Sequence, residues 1–225
     1  LKPKQKILVE GASITILNSL LRKFTLRRIK KDVLKDLPKK HKNIQYLNFS
    51  NSSKNEYLKI LKNISVLPND QKIGKFQNLL RICIENKFQR CLEITENSLE
   101  KDSKVVIFSY LVKPLENFLS FIPYELKKQC LLLSGKNTIS ERNIILNNFK
   151  TNESFKVLLI SSFLGSVGLT LTEANVAIFL SEYWNPSSND QAEDRLLRIG
   201  QTREVNIINL RIKDSIEDNL EEILF

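Results

Sequence analysis

Methionine is absent from this 225-residue sequence, even at position 1, and cysteine, tryptophan and histidine are scarce, with three, one and one. Cys83, Cys91 and Cys130 form no C-x-x-C pair and leave an odd thiol, which argues against a disulfide scaffold or a zinc site. We expect them to be buried thiols in a reducing compartment. No apolar run approaches the roughly 18 residues that a membrane-spanning helix needs, and the first residues lack a signal-peptide pattern. We therefore expect neither membrane insertion nor secretion, and the missing methionine leads us to expect a piece of a longer protein.

Positive charge is concentrated in one short segment. The formal net charge is +10, and ten of the 35 Lys and Arg residues lie between Arg22 and Lys42, with only two of the 25 Asp and Glu residues. Such a strip is typical of proteins that bind a nucleic-acid phosphate backbone with salt-dependent affinity. A solvated face or an anchor for anionic lipid would produce the same pattern, so charge alone leaves these alternatives open.

Short apolar runs alternate with segments of helical period from about residue 104 onward. The runs have the composition of strands that are buried on both faces. They are Lys104–Tyr110, Gln129–Ser134, Lys156–Ser162, Asn175–Ser181 and Val205–Ile212. The candidate helices are Val112–Phe121, Ser140–Phe149, Ser187–Ile199 and Ser215–Leu224. This alternation predicts an α/β fold, a doubly wound parallel sheet with helices on both faces. Ligands of such sheets gather at the carboxyl ends of the strands, here after Ser109, Ser162 and Ser181.

The first hundred residues follow a different pattern. Helical stretches are predicted near Ile14–Phe24, Ser53–Ser65 and Lys72–Leu99, with one strand at Asn43–Ser50. We interpret residues 1–100 as a helical lead-in with the basic segment, and residues 101–225 as the α/β lobe.

Two arginines follow a strong helix-start signal. Asn185 is a good capping residue and Pro186 suits the first helical position. A helix from there would place Gln191, Arg195 and Arg198 on one face, where two guanidiniums suit a terminal phosphate. Spacing alone favours the alternative that both are exposed arginines bonded to acidic neighbours on the same helix.

The segment from Gln191 to Gln201, Q-A-E-D-R-L-L-R-I-G-Q, closely resembles the sixth helicase motif of the Swi/Snf-type DNA-dependent ATPases. The matches elsewhere occur in the family's order over almost the entire chain. They are Trp184-Asn185-Pro186, Leu159–Leu171 (fifth motif), Lys104–Ser109 (fourth motif) and Phe24–Pro38 (the segment joining the two lobes). The D-S-I-E sequence after Lys213 resembles the DNA-repair branch. The resemblance implies a RecA-like fold and the second, C-terminal lobe of a two-lobe motor.

The resemblance also implies roles for individual residues. Arg195 and Arg198 would be catalytic arginine fingers that reach ATP, and Gln191, Gly165 and Gly168 would help to bind it. The residues implied in DNA binding are Ser109, Ser162, Thr170, Trp184, Arg27, Arg28 and Lys30. A lone tryptophan more often packs in a core. Ser134 and Gly135 fit a plain turn, and Arg142 fits a helix-surface charge.

The sequence departs from the family at a few positions and lacks the first lobe's motifs. Leu164 and Ser166 flank Gly165 where the family has A-G-G, Thr170 replaces an asparagine, and Ser181 replaces an acidic residue. No G-x-x-x-x-G-K-[ST] occurs, so ATP and Mg²⁺ would be held mainly by an N-terminal RecA-like lobe. The isolated chain is expected to have negligible ATP turnover.

The implied partners are double-stranded DNA, the N-terminal lobe on the same or an adjacent polypeptide, and chromatin or other DNA-bound protein. A nuclear setting is the family expectation, with a viral or cytoplasmic one also open. Two alternatives remain: a non-catalytic nucleic-acid-binding or partner-binding remnant of such a motor, and an RNA helicase lobe. The W-N-P and R-I-G-Q elements fit the RNA helicases poorly.

Overall fold

The computed structural model describes residues 37–64, 69–161 and 169–218, together with residues 19, 21 and 24. Internal contacts divide the chain into two units, Leu1–Asp36 and Leu37–Phe225. In the first unit, the described residues Ser19, Leu21 and Phe24 are helical and exposed. The candidate DNA-binding residues Arg27, Arg28 and Lys30 lie outside the described residues. The boundary at residue 100 stays a prediction.

Six strands of the second unit form a parallel sheet within the described part of the chain, in the order β1-β6-β5-β2-β4-β3. The strands are β1 (Lys40–Leu47), β2 (Val105–Ser109), β3 (Cys130–Leu133), β4 (Val157–Ser161), β5 (Val176–Phe179) and β6 (Val205–Ile212). The predicted doubly wound α/β fold is therefore confirmed. The strand expected at Asn43–Ser50 is found as β1, and it extends the sheet by pairing with β6, Lys40 opposite Val205 and Leu47 opposite Ile212.

Seven helices are present among the described residues. They are α1 (Asn51–Ile64), α2 (Asn69–Glu85), α3 (Phe88–Glu100), α4 (Val112–Phe121), α5 (Tyr124–Lys127), α6 (Ile139–Thr151) and α7 (Pro186–Glu193). Thr138 caps α6 by accepting a hydrogen bond from the Glu141 backbone, while the Glu141 side chain accepts one from the Thr138 N–H. This reciprocal cap explains why the helix begins at Ile139.

The sheet has a hydrophobic core on each face because alternate residues of a strand point to opposite sides. Val105 and Ile107 of β2 pack with α2, α3, α4 and α5 on one face, whereas Val106 and Phe108 pack with α6 and α7 on the other. The β2, β4 and β5 strands are buried along their whole length. This two-sided burial accounts for the continuous apolar runs in the sequence.

Three predicted helices differ from the structure. The stretch Lys72–Leu99 is two helices, because the chain turns at Asn86 and Lys87 between α2 and α3. Asn86 stabilises this break, since its side chain donates to Asn48 O and accepts from Ser50 N. The stretch Ser187–Ile199 is helical only to Glu193, as discussed for the site below. Of Ser215–Leu224, residues 215–218 form a bend and turns, and the remainder lies outside the described residues.

The cysteines are free thiols, with Cys83 and Cys91 fully buried and Cys130 half-buried. Burial raises the pKa of the Cys83 and Cys130 thiols to about 12, so both are protonated at neutral pH and inert as nucleophiles. None of the described helices combines the length and the apolar content that a membrane span requires.

Leu158 of β4 provides a test of the core. It is fully buried in the cluster on the α6 and α7 face. Replacing Leu158 with Ala leaves a cavity and should lower the free energy of unfolding by about 2–5 kcal/mol, measured by urea denaturation. Ile144 on α6 is 61% exposed, so Ile144→Ala should stay within about 0.5 kcal/mol of the parent. Equal losses for the two variants would contradict this account of the core.

Candidate active site

The segment that follows β5, residues 180–185, is fixed by side chains from several parts of the fold. We call it the Trp184 segment. Its first residue, Leu180, donates its N–H to Phe108 O (2.9 Å) and accepts a hydrogen bond from the Lys87 ammonium (2.7 Å). The hydroxyl of Ser181 accepts from Tyr110 N (2.8 Å). These contacts attach the start of the segment to the carboxyl end of β2.

The remainder of the Trp184 segment is held equally well. The Glu182 carboxylate accepts from Asn209 Nδ2 (2.7 Å) and Arg211 Nε (2.8 Å), both on β6. The Asn189 side chain binds both backbone groups of Tyr183: its Oδ1 accepts from the N–H (2.7 Å) and its Nδ2 donates to the carbonyl (2.8 Å). The backbone is thus satisfied by side chains where no strand or helix continues, as a loop at a buried edge requires.

Trp184 lies on the surface and not in the core, contrary to the general preference for a packed tryptophan. Its side chain is 57% exposed. The Trp184 and Tyr183 rings lie 5.1 Å apart, and the Tyr183 and Tyr110 rings are also 5.1 Å apart. An exposed indole on a firmly held backbone is suited to contact a partner, since aromatic side chains lose little conformational entropy on binding.

The helix that was expected to carry both arginines ends before them, which corrects the prediction for Ser187–Ile199. Asn185 caps α7 by accepting from Ser187 N (3.0 Å), with Pro186 in the first turn, as predicted. The helix nevertheless stops at Glu193, and residues 194–200 form a series of tight turns, which we call the arginine turn.

Tertiary contacts explain the early end of the helix. The Arg195 carbonyl accepts from Leu171 N (2.9 Å), and the Leu196 carbonyl accepts from the Gln201 side chain (3.2 Å). Both carbonyls are therefore used by partners outside α7. Gln201 is buried; its Nε2 also donates to Ala174 O (2.8 Å), and its Oε1 accepts from Arg203 N (2.9 Å). Gly200 has φ +103°, a conformation that favours glycine, and this allows the chain to turn into Gln201.

The arginine turn places Arg195 and Arg198 beside the residues that lead toward β5. Arg195 is half-buried and its Nη1 donates to Leu169 O (3.4 Å), whereas Arg198 is exposed and its Nη1 donates to the Thr170 hydroxyl (3.2 Å). The structure thus brings Thr170 together with the predicted arginine pair, although not through a shared helix face. Gln191 is exposed on α7, while Ser162, Gly165 and Gly168 lie outside the described residues.

Ser109 ends β2 at the expected edge but is fully buried. Its hydroxyl donates to Leu111 O (2.9 Å) and lies 3.3 Å from the Ser181 hydroxyl. In this conformation the side chain shapes the loop that any ligand would meet. Its predicted DNA contact stays a prediction.

Arg142 stabilises the loop after β3. Its Nε donates to Asn137 O (3.0 Å) and its Nη2 to Gly135 O (3.4 Å), while Ser134 N donates to Asn137 Oδ1 (2.8 Å). The loop is therefore a firmly braced turn, and Arg142 is more than a helix-surface charge.

Sequence reasoning missed a pair of lysines that hold the end of α7. Glu193 is 1% exposed, and its carboxylate accepts from Lys40 Nζ (2.8 Å) and Lys42 Nζ (2.6 Å) on β1. Two members of the basic segment therefore bind the protein's own carboxylate. The available signal was their spacing, because residues two apart in a strand share a face.

Gln201 gives a direct test of how the arginine turn is held. Gln201→Leu keeps much of the side-chain volume but leaves the Ala174 and Leu196 carbonyls without this donor, so the free energy of unfolding should fall by about 2–4 kcal/mol. Urea denaturation measures the loss. The neighbouring Thr202 is exposed, so Thr202→Val should change it by less than about 0.5 kcal/mol. A Gln201→Leu protein as stable as the parent would contradict the assigned hydrogen bonds.

Sequence comparisons point to the same family. The family described as "Helicase conserved C-terminal domain" matches residues 85–200, and the "SNF2-related domain" family matches residues 8–93. The chain is 30% identical over 170 residues to "ATP-dependent helicase ULS1" of Saccharomyces cerevisiae, covering 75% of this chain and 10% of that protein. It is 28% identical over 235 residues to "DNA repair and recombination protein RAD26" of the same yeast, covering 91% and 21%. The chain thus spans a small part of these relatives' length.

A solved structure shares the architecture. The "SWI2/SNF2 ATPase core in complex with dsDNA" of Sulfolobus solfataricus matches with a TM-score of 0.70 and 27% identity, covering 95% of this chain and 50% of that one. The first family match covers just over half of the chain, and its Gln191–Gly200 portion forms the end of α7 and the arginine turn, ahead of β6. The chain therefore belongs to the helicase conserved C-terminal domain family, as the C-terminal lobe of an SNF2-type helicase.

Proposed function

We propose that this chain is the second motor lobe of an ATP-dependent translocase on double-stranded DNA. In this proposal ATP binds between the chain and an N-terminal RecA-like lobe, and Arg195 and Arg198 contact its terminal phosphate. The observation that carries the proposal is the arginine turn, which holds two guanidiniums beside the neighbouring residues Leu169 and Thr170, on a backbone fixed by Leu171 and Gln201.

The arginine pair fits a phosphate by its chemistry. A guanidinium is permanently charged and presents a planar fork of donors, which matches phosphate oxygens better than a lysine does. Because the turn is already held by buried hydrogen bonds, little reorganisation is needed when charge develops on the transferring phosphoryl group. The contacts of Arg195 with Leu169 O and of Arg198 with the Thr170 hydroxyl hold the two guanidiniums beside adjacent residues of the chain.

The N-terminal lobe supplies what this chain lacks. The sequence has no phosphate-cradling G-x-x-x-x-G-K-[ST] loop. Among the residues that the structure describes, no three His, Cys, Asp or Glu side chains cluster as metal ligands would. The proposal therefore assigns magnesium no ligand in the described part of this chain and assigns the chain alone negligible ATP turnover.

DNA would be bound through its phosphates, without a base sequence being read. The basic segment around Arg27, Arg28 and Lys30, together with Thr170 and the exposed Trp184, provides the proposed contacts; Ser162 and the buried Ser109 are further proposed contacts. The Sulfolobus relative is described as bound to dsDNA, which supports duplex DNA as the track. Closure of the two lobes around ATP would then advance the protein along the duplex, on chromatin or at sites of repair, with a nuclear setting as the proposed location.

Arginine substitutions test the nucleotide part of the proposal. In the protein that joins this chain to its N-terminal lobe, Arg195→Ala or Arg198→Ala should lower duplex-stimulated ATP hydrolysis by about 10³-fold or more, because each removes charge stabilisation of the transition state. DNA affinity should be unchanged. A steady-state phosphate-release assay with saturating duplex measures the first effect, and a fluorescence-anisotropy titration measures the second.

Arg203 is the matched control for these variants. Its guanidinium donates to the backbone carbonyls of Asp102 and Lys101 and not to Leu169 or Thr170, and the alanine variant keeps the backbone N–H that binds Gln201, so Arg203→Ala should keep turnover close to that of the parent. Arg195→Lys retains the charge but loses the fork, and it should also be slow. Turnover in Arg195→Ala equal to that of the Arg203→Ala protein would refute the finger role.

The salt dependence of DNA binding tests the basic segment. If Arg27, Arg28 and Lys30 each neutralise a phosphate, their triple alanine variant should reduce the slope of log affinity against log salt by about 3. The triple alanine variant of Lys59, Lys127 and Lys150 removes the same charge from exposed helical positions and should leave the slope nearly unchanged. Equal slope changes for the two variants would show that only net charge matters.

A further inference from the structure

Lys87 is a fully buried lysine between α2 and α3, with a side-chain exposure of 0%. Its ammonium donates to Glu217 Oε1 (2.5 Å) and to the carbonyl of Leu180 (2.7 Å), the first residue of the Trp184 segment. The Glu217 side chain is only 3% exposed. One buried cation thus connects three parts of the chain: the α2–α3 break, the end of β5 and the turn after β6.

Glu217 uses its second oxygen as well. Its Oε2 accepts from Ile212 N (2.9 Å) at the end of β6, and its own N–H donates to the hydroxyl of Ser215, which in turn donates to Ile212 O (2.7 Å). Burial raises the pKa of the Glu217 carboxyl, and the charge of Lys87 opposes that shift. The D-S-I-E turn is therefore folded around the carboxylate that meets Lys87.

A second buried cation binds the Trp184 segment two residues after Leu180, at Glu182. Arg211 of β6 is 8% exposed and donates to Glu182. Lys87 at Leu180 and Arg211 at Glu182 hold the segment from two directions, while Asn189 and the Asn185 cap hold its far end. The position of the indole of Trp184 is thus determined by contacts made at Leu180, Glu182 and Tyr183.

Stability alone is a poor explanation for the Lys87–Glu217 pair. Removing two charges from water costs several kcal/mol per ion, and well-packed apolar residues often replace a buried ion pair with no loss of stability. Apolar residues could not donate a hydrogen bond to the Leu180 carbonyl or accept one from Ile212 N. These two bonds fix the backbone after β5 and at the end of β6. The pair is suited to specify one geometry.

We propose that Lys87 and Glu217 are positioning residues for the Trp184 segment, and that through them the turn after β6 controls the placement of the exposed indole. Displacing residues 213–218 would release the Leu180 carbonyl and loosen the segment. The consequence for ATP turnover rests on the proposed function, whereas the effect on Trp184 does not.

Trp184 is the sole tryptophan, so its fluorescence reports this one position in the full chain. Lys87→Met keeps an apolar stem and removes the donor to Leu180. Glu217→Gln keeps the shape but replaces one acceptor by an amide that must face either the Lys87 ammonium or the Ile212 N–H. We expect both variants to show lower tryptophan anisotropy and stronger acrylamide quenching than the parent, under conditions where circular dichroism shows them folded.

Lys104→Met is the control. Lys104 is also a buried lysine, 8% exposed, whose ammonium donates to a backbone carbonyl, that of Phe149 (3.0 Å). Its loss should lower stability in the same manner yet leave Trp184 anisotropy and quenching at the parent values. Parent-like fluorescence in folded Lys87→Met or folded Glu217→Gln would overturn the proposal, and so would an equal change in Lys104→Met. If Lys87→Met does not fold, Glu217→Gln decides the question alone.

Turnover gives a separate readout in the two-lobe protein. Glu217→Gln should lower the maximal rate of duplex-stimulated ATP hydrolysis relative to the parent. An undiminished rate in Glu217→Gln, with altered Trp184 fluorescence, would overturn the link to turnover while leaving the positioning role intact. A failed proposed function is recognised separately, because Arg195→Ala would then retain turnover whatever the fluorescence shows.

Discussion

The shared direction of the strands is the constraint on which the rest of this structure depends. Because all six strands in the described part of the chain are parallel, their carboxyl ends meet at one edge of the sheet. Helices cover both faces of its central strands, so ligand-accessible loops are confined to the edges. Ser109 and the Trp184 segment come from distant parts of the sequence, yet this polarity brings them together at the carboxyl edge. The arginine turn, which precedes β6, instead packs against Leu169, Thr170 and Leu171 ahead of β5.

The two loops of the candidate site, the Trp184 segment and the arginine turn, are held mainly by polar side chains that bind backbone groups. Gln201 holds the arginine turn, Asn189 holds Tyr183, and Lys87 holds Leu180. Each replaces hydrogen bonds that a helix or strand would otherwise supply, and each is buried, so an alternative conformation would leave polar groups unsatisfied. The result is a pair of loops whose backbones are held by hydrogen bonds and whose exposed side chains include Arg198 and Trp184.

Periodicity and motif spacing predicted the sheet well because β2, β4 and β5 are buried on both faces and have correspondingly continuous apolar sequences. The Asn185-Pro186 start of α7 was equally local and was confirmed. The end of α7 was not predictable, since it depends on Leu171, remote from the helix in sequence. Nor did any local signal mark Lys87, whose partner Glu217 lies 130 residues away. Sequence periodicity thus predicts where helices and strands lie. Long-range hydrogen bonds determine where α7 ends and which charged side chains are buried.

The pairing of β1 with β6 also affects how the chain is made. Lys40 pairs with Val205. During synthesis, β1 therefore cannot pair with β6 until about 165 further residues have been translated. Such non-local parallel pairings form slowly and leave a strand edge open to aggregation in the meantime. Charged residues on a strand discourage edge-to-edge association with other chains. Lys40 and Lys42, which bind Glu193 in the folded protein, are therefore well placed to protect the nascent polypeptide from aggregation until β1 pairs with β6.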